Sequence, residues 1–123
     1  MALYLGIDIG TSASKGVLID DRCNIVCQAS CGHETDNPCD GWYQHDAEAV
    51  WWGDFCRLSR ELVARSGVNA AQIGCVGLSA LGCDCVPVDT ECNALAPAIL
   101  YGVDARSKPQ IDELLSEYGS DRA

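Results

Sequence analysis

From Leu3 to Ile9 the chain alternates, with Leu3, Leu5, Ile7 and Ile9 on one side and Tyr4, Gly6 and Asp8 on the other. That period of two predicts a strand with one buried face. After the small, polar stretch Gly10-Thr11-Ser12-Ala13-Ser14, a second strand is predicted over Lys15 to Asp20, a turn over Asp21-Arg22-Cys23-Asn24, and a third strand over Ile25 to Cys31. Three consecutive strands joined by short turns form an antiparallel meander. Residues 32–43 are rich in Gly, Asp, Asn and Pro and read as a loop. Asp46 suits a helix N-cap, and Val50, Trp51, Phe55, Leu58, Leu62 and Val63 then recur at helical spacing to about Arg65, with Gly67 as the stop. Ile73 to Ser79 reads as a strand buried on both faces, Cys83 to Val88 as another, and Pro97 to Tyr101 as a short extended piece. Pro109 to Tyr118, carrying Ile111, Leu114 and Leu115, reads as an amphipathic helix.

A length of 123 residues suits one domain, and 48% hydrophobic content supplies a core. Eight basic against eighteen acidic side chains, a net charge of −10, repel a nucleic-acid backbone, so no nucleic-acid partner is expected. Any anion must instead be held locally, by backbone N–H groups, one or two placed bases, or a metal ion. No apolar run reaches the roughly 20 residues of a membrane span. With no secretory signal visible, no membrane partner and a cytoplasmic location are the expectation. Nine cysteines, an odd number, then read as reduced, small, buried hydrophobes. Spacings of four in Cys23, Cys27 and Cys31, and of two in Cys83 and Cys85, place them on one face of an extended strand. A metal or cluster role is therefore the alternative.

The segment Gly6-Ile7-Asp8-Ile9-Gly10-Thr11-Ser12-Ala13-Ser14-Lys15-Gly16 carries the clearest chemistry. It matches neither the G-x-x-x-x-G-K-[ST] phosphate loop nor G-x-G-x-x-G. A hairpin turn of Gly and small hydroxyl residues still presents several N–H donors in one concavity, an anion nest, and Lys15 adds a point charge. Asp8 repels a phosphate unless a divalent cation lies between them, which for Mg²⁺ is usually met through water. The plainer alternative is that these are ordinary turn formers.

Gly6-Ile7-Asp8-Ile9-Gly10-Thr11-Ser12, followed by Lys15, resembles the first phosphate motif of the sugar kinase, Hsp70 and actin ATPase superfamily. Gly41-Trp42-Tyr43-Gln44-His45-Asp46-Ala47-Glu48-Ala49-Val50-Trp51 and the stretch from Ile73 to Arg106 are similar to segments of the FGGY carbohydrate kinases, xylulokinase-like members among them. The resemblance implies an α/β, ribonuclease-H-like ATPase fold opening with the meander and a helix. Residues 1–123 would be the N-terminal portion of the first, sugar-binding domain. It implies ATP-dependent phosphorylation of a sugar or polyol hydroxyl. Asp8 would organise Mg²⁺ for catalysis, Gly10, Thr11, Ser12 and Lys15 would cradle the ATP phosphates, and Leu81, Gly82, Cys83, Asp84, Tyr101 and Asp104 would face the acceptor. Leu81, Gly82 and Cys83 stand where xylulose and glycerol kinases carry large polar residues, so neither substrate is carried over. Asp104 and Arg106 equally read as a local salt bridge, the tryptophans as packing, and His33 and His45 receive no role.

The catalytic base and adenosine site of this family lie beyond residue 123. No kinase activity is therefore expected of the 123 residues alone, and exposed apolar faces would favour a homo-oligomer. Two alternatives stand beside this reading. One is an ATPase activator of the 2-hydroxyacyl-CoA dehydratase type with an iron–sulfur cluster, and the other a non-catalytic zinc- or partner-binding module.

Overall fold

The computed structural model describes residues 2–119. In chain order it contains β1 (Leu3–Ile9), β2 (Ala13–Asp20), β3 (Ile25–Gly32), β4 (Gln44–His45), a π-helical turn (Ala47–Trp52) and α1 (Gly53–Ser66). A short 3₁₀ turn (Ala70–Gln72), β5 (Ile73–Ser79), β6 (Ala98–Ile99) and α2 (Lys108–Tyr118) follow. The main sheet has the order β3-β2-β1-β5. β1–β2 and β2–β3 are antiparallel, the expected meander, and β5 joins β1 in parallel after the α1 crossover.

One face of this sheet makes the core. Register pairs Ile7 with Gly16 and Ile9 with Ser14, so the odd residues of β1 and the even residues of β2 point the same way. Leu3, Leu5, Ile7, Ile9 and Leu18 pack there against Leu58 and Leu62 of α1. Asp54, Leu58 and Leu62 recur every four residues, which sets them in one stripe along the helix. Each buried leucine contributes about 1.5–3 kcal/mol. Gly16 admits the helix, because a Cβ there would lie 2.8 Å from Leu62 Cδ1.

The helical segment begins at Asp46, whose Oδ1 accepts the Ala49 N–H at 2.8 Å, and ends at Gly67, which is left-handed at φ +67. Its first six residues form a wider π turn rather than continuing the α-helix. That turn carries Trp51 over His45, whose Nδ1 accepts the indole N–H at 3.0 Å.

Three expectations are corrected. β5 is not buried on both faces: Val76 is 50% and Leu78 64% exposed, because β5 is the sheet's edge strand and its apolar run has no covering layer among the described residues. Cys83 to Val88 forms no strand, only the single bridges Cys85–Ile99 and Val88–Ala94. Pro87 has no N–H to donate, and Cys83 is left-handed at φ +64, so an extended ladder cannot propagate. The cysteines are mostly not buried: six of the nine are exposed, all nine are free thiols, and only Cys27 and Cys31 pack against the core cluster.

Cys23 lies in the β2–β3 turn at φ +63, off the face of Cys27 and Cys31. Its turn recurs at residues 89–93. Asp20 accepts the N–H groups of Arg22 and Asn24 and the Asn24 side-chain amide, and Asp89 does the same with Glu91 and Asn93. Cys92 is left-handed at φ +65, as Cys23 is. Hydrogen bonds from Asn24 and Asn93 hold both aspartates below the usual carboxylate range.

Candidate functional site

Asp8 and Lys15 lie on the sheet face opposite the one that packs on α1. Asp8 is exposed at the end of β1. The register across the four strands sets Ser79, Asp8, Lys15 and Ser30 in one row. The next row toward the sheet centre is Gly77, Gly6, Val17 and Gln28, so two glycines leave a low floor beneath Asp8. These residues line one open concavity. Among the described residues, neither Asp8 nor Lys15 is held in an ion pair or a side-chain hydrogen bond.

The turn between β1 and β2 follows Asp8 and precedes Lys15, and its own residues, 10–13, do not line that concavity. Gly10 donates its N–H to Ala13 O at 3.1 Å. A Cβ at Gly10 would sit 2.8 Å from the same oxygen, so the turn requires glycine there. Thr11 and Ser12 are exposed, and their amides and hydroxyls donate to no protein acceptor among the described residues. The carbonyls of the turn are all occupied. His33 Nε2 meets Gly10 O at 3.0 Å, Thr35 Oγ1 donates to Thr11 O at 3.2 Å, and the His33 N–H donates to Ser12 O at 3.1 Å.

Those contacts continue into a buried polar network. His33 Nδ1 lies 2.7 Å from Asp54 Oδ2, which also accepts from Ser14 Oγ at 2.7 Å. The side chains of His33 and Asp54 are 7% and 2% exposed. Burial pushes the Asp54 carboxyl up, but hydrogen bonds from Ser14, His33 and Cys31 outweigh it and hold the group below its ordinary value. Burial, and then the Asp54 contact, raise the Cys31 thiol, which stays protonated. His45 is buried and its Nε2 lies 3.1 Å from Thr35 Oγ1. Burial, then the neighbouring His33 ring 5.0 Å away, lower its pKa and keep it neutral.

The acceptor candidates lie in a separate set of loops. Leu81 is half-buried, whereas Gly82 and Cys83 are exposed. Asp84 Oδ1 accepts the Tyr101 N–H at 2.7 Å, while its buried Oδ2 has no hydrogen-bond partner. Tyr101 itself is 71% exposed. Asp104 is committed elsewhere: it accepts the Tyr43 N–H at 2.7 Å and the Arg106 side chain at 2.9 Å. The Arg106 hydrogen bond, working against burial, holds its carboxyl down to about 2. Arg106 also lies 4.3 Å over the Trp42 ring. The local salt bridge is therefore present, and the structure places Asp104 in a clip rather than in open space. Asp8 with Gly10, Thr11, Ser12 and Lys15 is brought together, as is Asp84 with Tyr101.

Sequence reasoning missed His33, Asp54, Ser14, Thr35 and His45. The available signal was two polar residues on apolar stripes, Ser14 in phase with Gly16 and Leu18, and Asp54 in phase with Leu58 and Leu62.

A family model described as the FGGY family of carbohydrate kinases, N-terminal domain, matches residues 3–122. The chain belongs to that family. A glycerol kinase of Trichormus variabilis is 29% identical over 111 residues, covering 89% of this chain and 22% of that enzyme. Among solved FGGY-like structures, a xyloylose kinase from Brucella ovis superposes with a TM-score of 0.83 at 32% identity, covering 94% of this chain and 24% of that one. Plasmodium falciparum glycerol kinase, solved with ADP, gives 0.80 at 25% identity over 96% of this chain and 24% of its own. This chain thus spans a quarter or less of the length of the relatives it matches. Its actin- and Hsp70-like sheet is the expected fold.

Proposed function

We propose that this chain supplies the phosphate-holding and acceptor-facing elements of a kinase that transfers a phosphoryl group from ATP to a sugar or polyol hydroxyl. On this reading residues 1–123 form the opening part of the first, sugar-binding lobe. The observation that carries it is the uncommitted Asp8 carboxylate beside Lys15 and the free amides of Thr11 and Ser12. Such a set suits Mg²⁺ and a polyphosphate: Mg²⁺ is held by one or two carboxylates plus substrate phosphates and keeps several waters. Asp8 would hold the ion, and the Gly10–Ser12 amides with Lys15 would position the phosphates. When bound, magnesium and nucleotide supply charge neutralisation and the transferable phosphoryl group.

Asp84, with one buried oxygen unpartnered, is the residue in the acceptor loops best able to receive hydroxyl donors, and Tyr101 would form a wall. Leu81, Gly82 and Cys83 would shape that pocket, and Asp104 would act by holding Tyr43 and Arg106 in place. The relatives' names, glycerol kinase and xylulose kinase, support a small polyhydroxy acceptor.

The dehydratase-activator alternative is not favoured, since the family match includes the Trp-rich segment and residues 97–106, which that reading leaves unexplained. Among the described residues no three His, Cys, Asp or Glu side chains gather as a metal site, which leaves the zinc module without support. Calorimetric titration of the full chain with MgATP tests the proposal. Binding that disappears in Asp8→Asn is expected; no binding, or binding unchanged in that variant, contradicts it.

A further inference from the structure

The hairpin's free amides have a cause in the buried network beneath them. In a trans peptide the C=O of one residue and the N–H of the next point in opposite directions. Holding the carbonyls of Gly10 and Thr11 on one side therefore presents the amides of Thr11 and Ser12 on the other. Both carbonyls are held by side chains, Gly10 O by His33 and Thr11 O by Thr35. The donor assignments are fixed by chemistry. The Trp51 indole can only donate, so His45 Nδ1 is the acceptor and His45 Nε2 carries the proton. That proton goes to Thr35 Oγ1, which passes its own to Thr11 O, a one-way chain from Trp51 to the hairpin. On the second chain, His33 faces the Asp54 carboxylate with Nδ1 and the Gly10 carbonyl with Nε2. Gly10 O can only accept, so His33 Nε2 is its donor, and Nδ1 ties the ring to the buried Asp54.

We propose that His33 and Thr35, backed by Asp54 and by the His45–Trp51 pair, are positioning residues that lock the Gly10–Ser12 peptide planes into an anion nest for the nucleotide phosphates. The inference rests on the phosphate-hairpin reading and adds what sets the hairpin's polarity. Without these donors the turn carbonyls, the negative ends of their peptides, are free to rotate toward the phosphates. A purely structural role for the network predicts lower thermal stability with unchanged phosphate affinity in whatever fraction stays folded.

The test follows the Thr11 and Ser12 amide resonances of the full chain during titration with magnesium tripolyphosphate. Wild type, His33→Phe, His33→Gln and Thr35→Val are compared. In the wild type both amides shift on binding. His33→Phe, which keeps ring bulk and removes both ring nitrogens, weakens affinity about tenfold, and His33→Gln, which keeps a donor for Gly10 O, recovers part of it. Thr35→Val, a near-isosteric change at a half-buried position, gives a smaller loss centred on the Ser12 amide, and it carries the test if His33→Phe does not fold. Tripolyphosphate affinity unchanged in Thr35→Val and in every folded His33 variant overturns the proposal and leaves the hairpin reading intact. A wild-type chain whose Thr11 and Ser12 amides do not respond overturns both.

Discussion

The hairpin between β1 and β2 and the loop between β5 and β6 both leave the same end of the sheet, and they are held in contrasting ways. All three carbonyls of the hairpin turn, those of residues 10–12, have donors, and its supports reach the buried Asp54 and the Trp51 indole. The loop has two isolated bridges, the self-contained Asp89 turn, a left-handed Cys83, and at Asp84 an aspartate satisfied at one oxygen only. A phosphate chain presents the same oxygens every time, so a rigid backbone nest suits it. Hydroxyl patterns differ from one polyol to another, and a loop whose contacts are made by side chains can follow them without disturbing the sheet. On this view the two halves of the site are held by different devices, and substitutions should separate them.

The largest effect is expected at the hairpin. Asp8→Asn should weaken MgATP binding, and phosphoryl transfer by any kinase containing this chain, by about a hundredfold or more, with little change in melting temperature because Asp8 is exposed. A variant that unfolds instead would show that Asp8 supports the sheet and would erase the contrast. Next is Gly16→Ala, whose Cβ meets Leu62 and Ile7 at 2.8 and 3.0 Å. It should cost about 1–3 kcal/mol in urea denaturation and loosen the hairpin through α1.

Asp104 tests the clip that supports the loop side. Its folded pKa, about 2, lies below the ordinary 3.8. Its contribution is therefore full above pH 4 and is lost as pH falls from about 4 to about 2. Asp104→Asn should flatten that part of the stability–pH curve, and a curve unchanged by the substitution would place Arg106 and Tyr43 elsewhere. The smallest effect is expected for Tyr101→Ala. With 71% of Tyr101 exposed, stability should stay within about 0.5 kcal/mol while acceptor affinity falls. A loss of stability with unchanged acceptor affinity would make Tyr101 a packing residue and remove it from the acceptor side.

Much of this was legible in the sequence because it is local. The alternation of Leu3 to Ile9 gives β1 to the residue, and Asp46 and Gly67 bound the helical segment. Asp8 and the small-residue turn identify the hairpin from composition and spacing. The hidden part is tertiary. Nothing local tells that Ser14, His33 and Asp54, 19 to 40 residues apart along the chain, share one buried hydrogen-bond network. An apolar run such as Ile73 to Ser79 states what a strand is able to bury, and its exposure depends on which elements lie beside it. The turns at residues 20–24 and 89–93 share an Asp-x-x-Cys-Asn spacing that places a cysteine at the left-handed position, whereas the spacing of Cys23, Cys27 and Cys31 alone suggests one strand face.

Diffraction from crystals of the full chain grown with ADP and Mn²⁺, a magnesium substitute with a strong anomalous signal, tests the central claim most directly. An anomalous peak beside the Asp8 carboxylate, with phosphate oxygens on the Thr11 and Ser12 amides, is the predicted result. Nucleotide phosphates bound away from the hairpin, with no manganese near Asp8, would contradict it.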